Sequence, residues 1–226
     1  MSQIAKARRR GLADEVAEQV RGAILEGRFE PGSALREVEL AAALEVSRGA
    51  VREGLGLLIR EGLVRSGWHR GTTVIEVTVT DVEEVYAVRG ALERLAALTV
   101  ATEASPKDLD ELDDVVDRMA NAVAEEADAA TLSALDIEFH DTLYRIAGNS
   151  RLSTAWHGIR AQVQLFQLTR ARLGYEHYRG IIAGEHRELV GLLRARNTKD
   201  LNRFAEEHVQ SACRLLTAQL AAGPPA

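Results

Sequence analysis

The chain has a single cysteine, Cys213, in 226 residues, and only four prolines. A lone cysteine excludes an internal disulfide and suits a reducing compartment, so a cytoplasmic location is expected. With so few prolines, long stretches can run as helix, and Ala, Leu, Arg and Glu dominate the composition. No apolar run approaches the roughly 20 residues that cross a bilayer. Residues 1–10 are basic and lead into an amphipathic stretch rather than a uniformly apolar one, so neither a membrane partner nor a signal peptide is expected. Internal repeats and low-complexity tracts are also missing. A chain of this length can form one large or two modest domains.

The net charge of −6 is unevenly spread. Residues 1–75 carry 12 basic against 10 acidic side chains, and the remainder carries 16 against 24. A mildly basic front and an acidic back suggest two domains with different partners.

Leu12, Val16, Val20 and Ile24 recur every fourth residue and Gly27 follows as a breaker, which predicts a first helix. After a Pro-Gly turn, Glu37–Leu44 predicts a short helix with Val38, Ala41 and Ala42 facing inward. Glu45–Ser47 is a three-residue break, and Ser47 is a suitable N-cap for a third helix with Val51, Leu55, Leu58 and Ile59 as its apolar stripe. Two β-branched runs, 63–65 and 72–77, flank Gly67 and Gly71 and predict a hairpin. Six helices are predicted beyond it, at 80–104, 106–126, 131–147, 150–170, 175–195 and 199–221. The expected architecture is mainly α. It comprises a basic flexible arm (1–10), a winged helix-turn-helix (11–78), an all-helical bundle for effector, metal and dimerisation (79–221) and a short tail (222–226).

A recognition helix needs one face buried in its own domain and a polar face free to enter the major groove. Arg48 and Arg52 lie one turn apart opposite Val51, Leu55 and Leu58, where they can reach guanine edges. Ser47 and Arg36 are better placed for phosphates, and His69-Arg70-Gly71 forms the expected wing tip. Any one of these arginines alone is more often a solvated charge; the joint pattern is what points to double-stranded DNA. Arg60 and Arg65 read as surface charges.

In the helical part, Asp136 and His140 stand at i and i+4 on a face shared with Leu132 and Leu143. His186 lies among Ile182, Leu189 and Leu193, and His208 among Leu201, Phe204 and Leu215. Four polar groups on the inner sides of three helices each need a partner, and one shared cation satisfies all of them. The donor set suits Zn²⁺ foremost, with Ni²⁺, Mn²⁺ or Fe²⁺ as alternatives. Arg89, on the stripe of Val85, Leu92 and Ala96, is the candidate to bind a carboxylate effector beside the metal. His69, His157 and His177 lack such settings and read as wing or surface residues.

Residues 16–64 with the later "RGTTV" resemble the winged helix-turn-helix of GntR-type bacterial transcription regulators, through "LREVELA", "VSR", "VRE" and "LIREGLV". The resemblance implies that Arg36, Ser47, Arg48, Arg52, Arg70 and Gly71 contact DNA. Three departures stand out: Glu45 where glycine is usual, Gly49-Ala50 where Thr-Pro is common, and Gly54 where alanine is common. Glu45 is expected to weaken a nearby phosphate contact. The remainder, through "VYAVRGALERLAA", "DIEFHDTLYRIAGNSRL", "GEHRELVGLLRARN" and "FAEEHV", resembles the FCD ligand-binding domain of the FadR-type subfamily. That implies a divalent metal on Asp136, His140, His186 and His208, a small organic acid effector and a homodimer. Six helices rather than seven imply the shorter, VanR-like branch. The expected function is a metabolite-responsive regulator, as a repressor on a palindromic operator, and not an enzyme. The competing readings are a metal-dependent enzyme on a helical bundle and a helical adaptor whose metal is purely structural.

Overall fold

A computed structural model describes residues 10–67 and 71–222, which form two compact units dividing between Glu76 and Val77. The expected basic arm lies outside the described residues except for Arg10, which begins the first helix, and the tail does so except for Ala222. His69 and Arg70 of the expected wing tip also lie outside them.

In the first unit α1 (Arg10–Leu25), α2 (Glu37–Ala43) and α3 (Arg48–Arg60) precede a two-stranded antiparallel hairpin, β1 (Val64–Gly67) and β2 (Gly71–Val74). Both strands differ from the predicted runs. Leu63 precedes β1 yet is fully buried, and only its carbonyl continues the ladder, to the Ile75 amide. α1 and α3 pack through Val16, Val20 and Ile24 against Val51, Leu55 and Leu58, all 3% exposed or less. A fork of hydrogen bonds from Arg21 to Glu61 (2.8 and 2.6 Å) ties α1 to the end of α3. The predicted inner faces need four corrections. Val38, Ile59 and Leu12 are exposed, and Leu40 and Ala41 rather than Val38 and Ala42 hold α2 down. A seven-residue helix has too few turns for spacing alone to choose its inner face.

Glu45 sits at φ 54°, in the left-handed region, within the turn between α2 and α3. A side chain is disfavoured there, which accounts for the glycine usual at this position in the resembling family. The expected electrostatic penalty of Glu45 is therefore joined by a conformational one.

The second unit is made of α4 (Val79–Glu103), α5 (Pro106–Ala124), α6 (Ala129–Ile146), α7 (Ser150–Leu173), α8 (Tyr175–Arg194) and α9 (Thr198–Ala222). Its starts are well specified: Thr78, Ser105, Asp128 and Asn149 each accept a backbone N–H at a helix N-terminus. Asp128 caps two residues earlier than predicted, which lengthens α6, while Gly174 rather than Arg170 ends α7. α4 lies against α9 and α7, and α5 against α6 and α8. Leu112, Met119, Phe139, Trp156 and Leu189 are among the fully buried core residues. This frame turns selected faces of α4, α6, α7, α8 and α9 toward one polar interior.

Candidate functional site

The outer face of the first unit carries the arginines. Ser47 caps α3 by accepting the Ala50 N–H (3.2 Å), which leaves its hydroxyl proton as a donor. Arg48 and Arg52 project from the first turns of α3 and are mostly exposed. They are not free: Arg52 donates two hydrogen bonds to Glu37 (3.0 and 2.8 Å), and Arg48 lies 3.7 Å from the same carboxylate. The Arg52 hydrogen bond holds the Glu37 carboxyl below its ordinary pKa. Arg36 pairs with Glu39 at 2.8 Å. Such water-exposed pairs are weak and exchangeable, so competing phosphates or base edges can take the arginines over. Arg36, Glu37, Arg48, Ser66, Gly71 and Thr72 line one surface groove. Gly71, at φ 69°, opens β2 in a conformation that suits glycine. Arg60 and Arg65 are exposed, as expected.

Within the second unit, Asp136 and His140 from α6, His186 from α8 and His208 from α9 converge, and all four are buried. One ligating atom of each histidine lies within 4.8 Å of the others. Asp136 Oδ1 is 3.4 Å from His186 Nε2, and Asp136 Oδ2 is 3.9 Å from His140 Nε2. His157 and His177 are exposed and are not among the grouped histidines.

Each imidazole is oriented through Nδ1. His140 Nδ1 meets Glu93 Oε1 (2.6 Å), His186 Nδ1 the Ile182 carbonyl (2.7 Å) and His208 Nδ1 Glu185 Oε2 (3.0 Å). An Nδ1–H donated in each case fixes the tautomer that leaves Nε2 as the inward lone pair. Gln167 donates to Asp136 Oδ2 (2.6 Å), and Tyr144 donates to Glu93 Oε2 (3.1 Å). Asp136 Oδ1 and His186 Nε2 are buried with no hydrogen-bond partner among the described residues. Burial holds His186 down to a pKa of about 3, partly opposed by Asp136, so its ring is neutral at pH 7. For Asp136, burial alone would raise the pKa, but His140, His186, Arg89 and Arg170 outweigh it and bring it to about 2. A neutral imidazole and an ionised carboxylate, both unsatisfied and facing each other, are the donors a divalent cation requires. The residues fit a metal ion.

Arg89 is fully buried on α4, and its Nη2 lies 2.7 Å from His140 Nε2, the atom a metal would use. Its Nε is 3.9 Å from Glu93 Oε2, and its Nε and Nη1 have no hydrogen-bond partner among the described residues. The guanidinium thus stands beside the histidine cluster with donors to offer. Sequence reasoning did not assign the orienting roles of Glu93, Glu185 and Gln167. Glu93 carries the one available signal, an inward carboxylate one turn after Arg89.

Comparison with known proteins places both units. Residues 12–74 match the family model for bacterial regulatory proteins of the gntR family, and residues 84–211 match the FCD domain. The gluconate operon transcriptional repressor of Bacillus subtilis (strain 168) is 31% identical over 192 residues, covering 82% of this chain and 75% of that protein. The uncharacterized HTH-type transcriptional regulator YdhC of the same organism is 26% identical over 197 residues, 86% of each chain. Among solved structures, a transcriptional regulator GntR from Rhodococcus sp. RHA1 superposes with a TM-score of 0.77 at 26% identity, covering 91% of this chain and 97% of that one. E. coli McbR/YncC shares the fold, with a TM-score of 0.76 at 22% identity over 93% and 99% of the two chains. With a winged helix-turn-helix followed by six helices of FCD type among its described residues, the chain belongs to the GntR family and is a DNA-binding transcription regulator, not an enzyme.

Proposed function

We propose that the chain is a metabolite-responsive repressor that binds a palindromic operator as a homodimer and is controlled by a small organic acid held at a divalent metal in its second unit. The observation that carries this reading is the convergence of three buried imidazoles with Asp136, where Asp136 Oδ1 and His186 Nε2 face each other at 3.4 Å without other partners. A repressor named for the gluconate operon among the relatives supports an organic acid as effector.

Asp136, His140, His186 and His208 hold the metal in this account, with Zn²⁺ foremost and Ni²⁺, Mn²⁺ or Fe²⁺ as alternatives. The metal supplies a fixed positive centre for an effector carboxylate. Glu93 and Glu185 hold the His140 and His208 rings in register. Arg89, whose Nη2 lies 2.7 Å from His140 Nε2, would offer its guanidinium to the same carboxylate. On the DNA side, Arg48 and Arg52 leave Glu37 for base edges, Arg36 and Ser47 contact phosphates, and Arg70 with Gly71 forms the wing contact. The effector shifts operator affinity only by binding the DNA-competent and incompetent arrangements unequally.

The test is to select duplexes from a random pool and measure affinity by fluorescence anisotropy. Arg48→Ala and Arg52→Ala are each expected to weaken the selected site about ten-fold or more, and binding should fall steeply with salt. Unchanged affinity in both variants would refute the recognition-helix assignment. Selection of a site without two-fold symmetry would refute the dimeric operator.

A further inference from the structure

Arg170 on α7 is 6% exposed, and its guanidinium lies over the Tyr178 ring, 4.7 Å from the centroid. Its Nε has no hydrogen-bond partner, and no carboxylate lies within ion-pairing distance of it among the described residues. The other buried charges of this interior each make at least one hydrogen bond: Arg89 with His140, Glu93 with His140 and Tyr144, Asp136 with Gln167. Arg170 acts on Asp136 and Glu185 only beyond ion-pairing distance, and a buried cation without a direct ion pair is costly unless something else meets its charge.

Arg170 faces the interior that holds the histidines. It follows Gln167 by one turn of α7, and Gln167 donates to Asp136. The Tyr86 phenol feels both guanidiniums, and Asp136 does as well. Tyr86 Oη and Gln167 Oε1 beside them, and Ser133 Oγ on the stretch of α6 before Asp136, are also buried without partners among the described residues. These atoms come from α4, α6 and α7, and they mix donors with an acceptor. Charge decides the ligand class. Arg89 and Arg170 balance Glu93 and Asp136, so a divalent cation leaves two positive charges to be met. Glu185 is one-third exposed and already bonded to His208, so solvent screens it.

Resting on the organic-acid reading above, we propose that Arg170 is a second carboxylate-binding residue and that the effector is a short hydroxylated dicarboxylate, one end beside the metal and Arg89, the other on Arg170. The hydroxyls of the ligand meet Tyr86, Ser133 and Gln167.

The experiment is thermal unfolding of the Zn²⁺-loaded full chain with succinate, malate, tartrate and glutarate. Each is matched with the monocarboxylate that carries a methyl in place of the distal carboxylate. A ligand that binds only the folded state raises its stability with concentration. At least one dicarboxylate is expected to bind about ten-fold more tightly than its mate, the margin of one charge-assisted contact. Arg170→Gln should erase that margin, and Arg170→Lys, which keeps the cation, should restore part of it. Equal binding of every pair, or a margin that survives Arg170→Gln, overturns the assignment of Arg170 while leaving the organic-acid reading intact. Absence of any acid-dependent shift in the metal-loaded protein overturns both.

Discussion

Gly54 and Gly56 stand two residues apart in α3, and the structure gives them opposite roles. A Cβ on Gly54 would lie 2.7 Å from Val16 Cγ1, 2.9 Å from Val16 Cβ and 3.0 Å from the Ala13 carbonyl oxygen. None of these is the far end of a flexible side chain, so α1 itself must retreat. Overpacking of this kind costs about 1–3 kcal/mol, against about 1 kcal/mol gained when alanine replaces glycine inside a helix. A Cβ on Gly56 would meet nothing within 4 Å, so only the gain applies there. Gly56→Ala should therefore stabilise the first unit by about 1 kcal/mol, while Gly54→Ala should be neutral to about 2 kcal/mol destabilising. Hydrogen exchange read on peptides from α1 and α3 of the full chain reports this locally, with α5 and α6 as an internal control. Exchange should slow about five-fold in Gly56→Ala and hold or accelerate in Gly54→Ala. Equal slowing in both variants would refute the close α1–α3 approach, and with it the seating of the recognition helix described above.

Further outcomes follow from the same geometry. Glu45→Gly relieves a left-handed residue and should raise the stability of the first unit by about 1 kcal/mol, seen as slower exchange in α2 and α3. Glu93→Gln keeps the shape beside His140 but weakens the acceptor, so Zn²⁺ affinity by calorimetry should fall about 10- to 100-fold with the fold retained. His186 titrates near 3 in the folded chain instead of near 6.5, chiefly because it is buried. The unfolded chain then binds the extra proton between those values, so stability rises with pH across the window and is lost on acidification. In chelator-treated protein the unfolding free energy from urea titrations should fall from pH 6.5 downward, by about 1.4 kcal/mol per pH unit, and His186→Phe should flatten the slope. A free energy constant from pH 7 to 4 would contradict the buried neutral ring.

The turn at Glu45–Ser47, the hairpin and the six later helices were legible because caps, glycines and apolar periodicity are local signals. The histidine cluster was legible for a related reason. Asp136 and His140 share a helical face, and His186 and His208 sit in apolar stripes that have to turn inward. Their orienting partners were not legible. Glu93 offered only its place one turn after Arg89, and Glu185 differs from neighbouring exposed acids only in what α9 brings against it. Arg170 was placed at a helix end by periodicity, whereas α7 continues to Leu173 and holds it inside. The same gap explains Gly54, a departure from the usual alanine that has no evident reason until α1 is set against it. Val38 and Ile59 show the converse, apolar residues that the tertiary packing leaves in solvent.

Titration of Zn²⁺ into chelator-treated full-length protein by isothermal calorimetry tests the metal-dependent account most directly, run beside His186→Ala and Asp136→Asn. One ion per chain is expected to bind at pH 7, with little proton release because His186 is already neutral and Asp136 already ionised, and that binding should be lost in both variants while their helical content persists. Failure of the unaltered chain to bind, or undiminished binding in both variants, would contradict it.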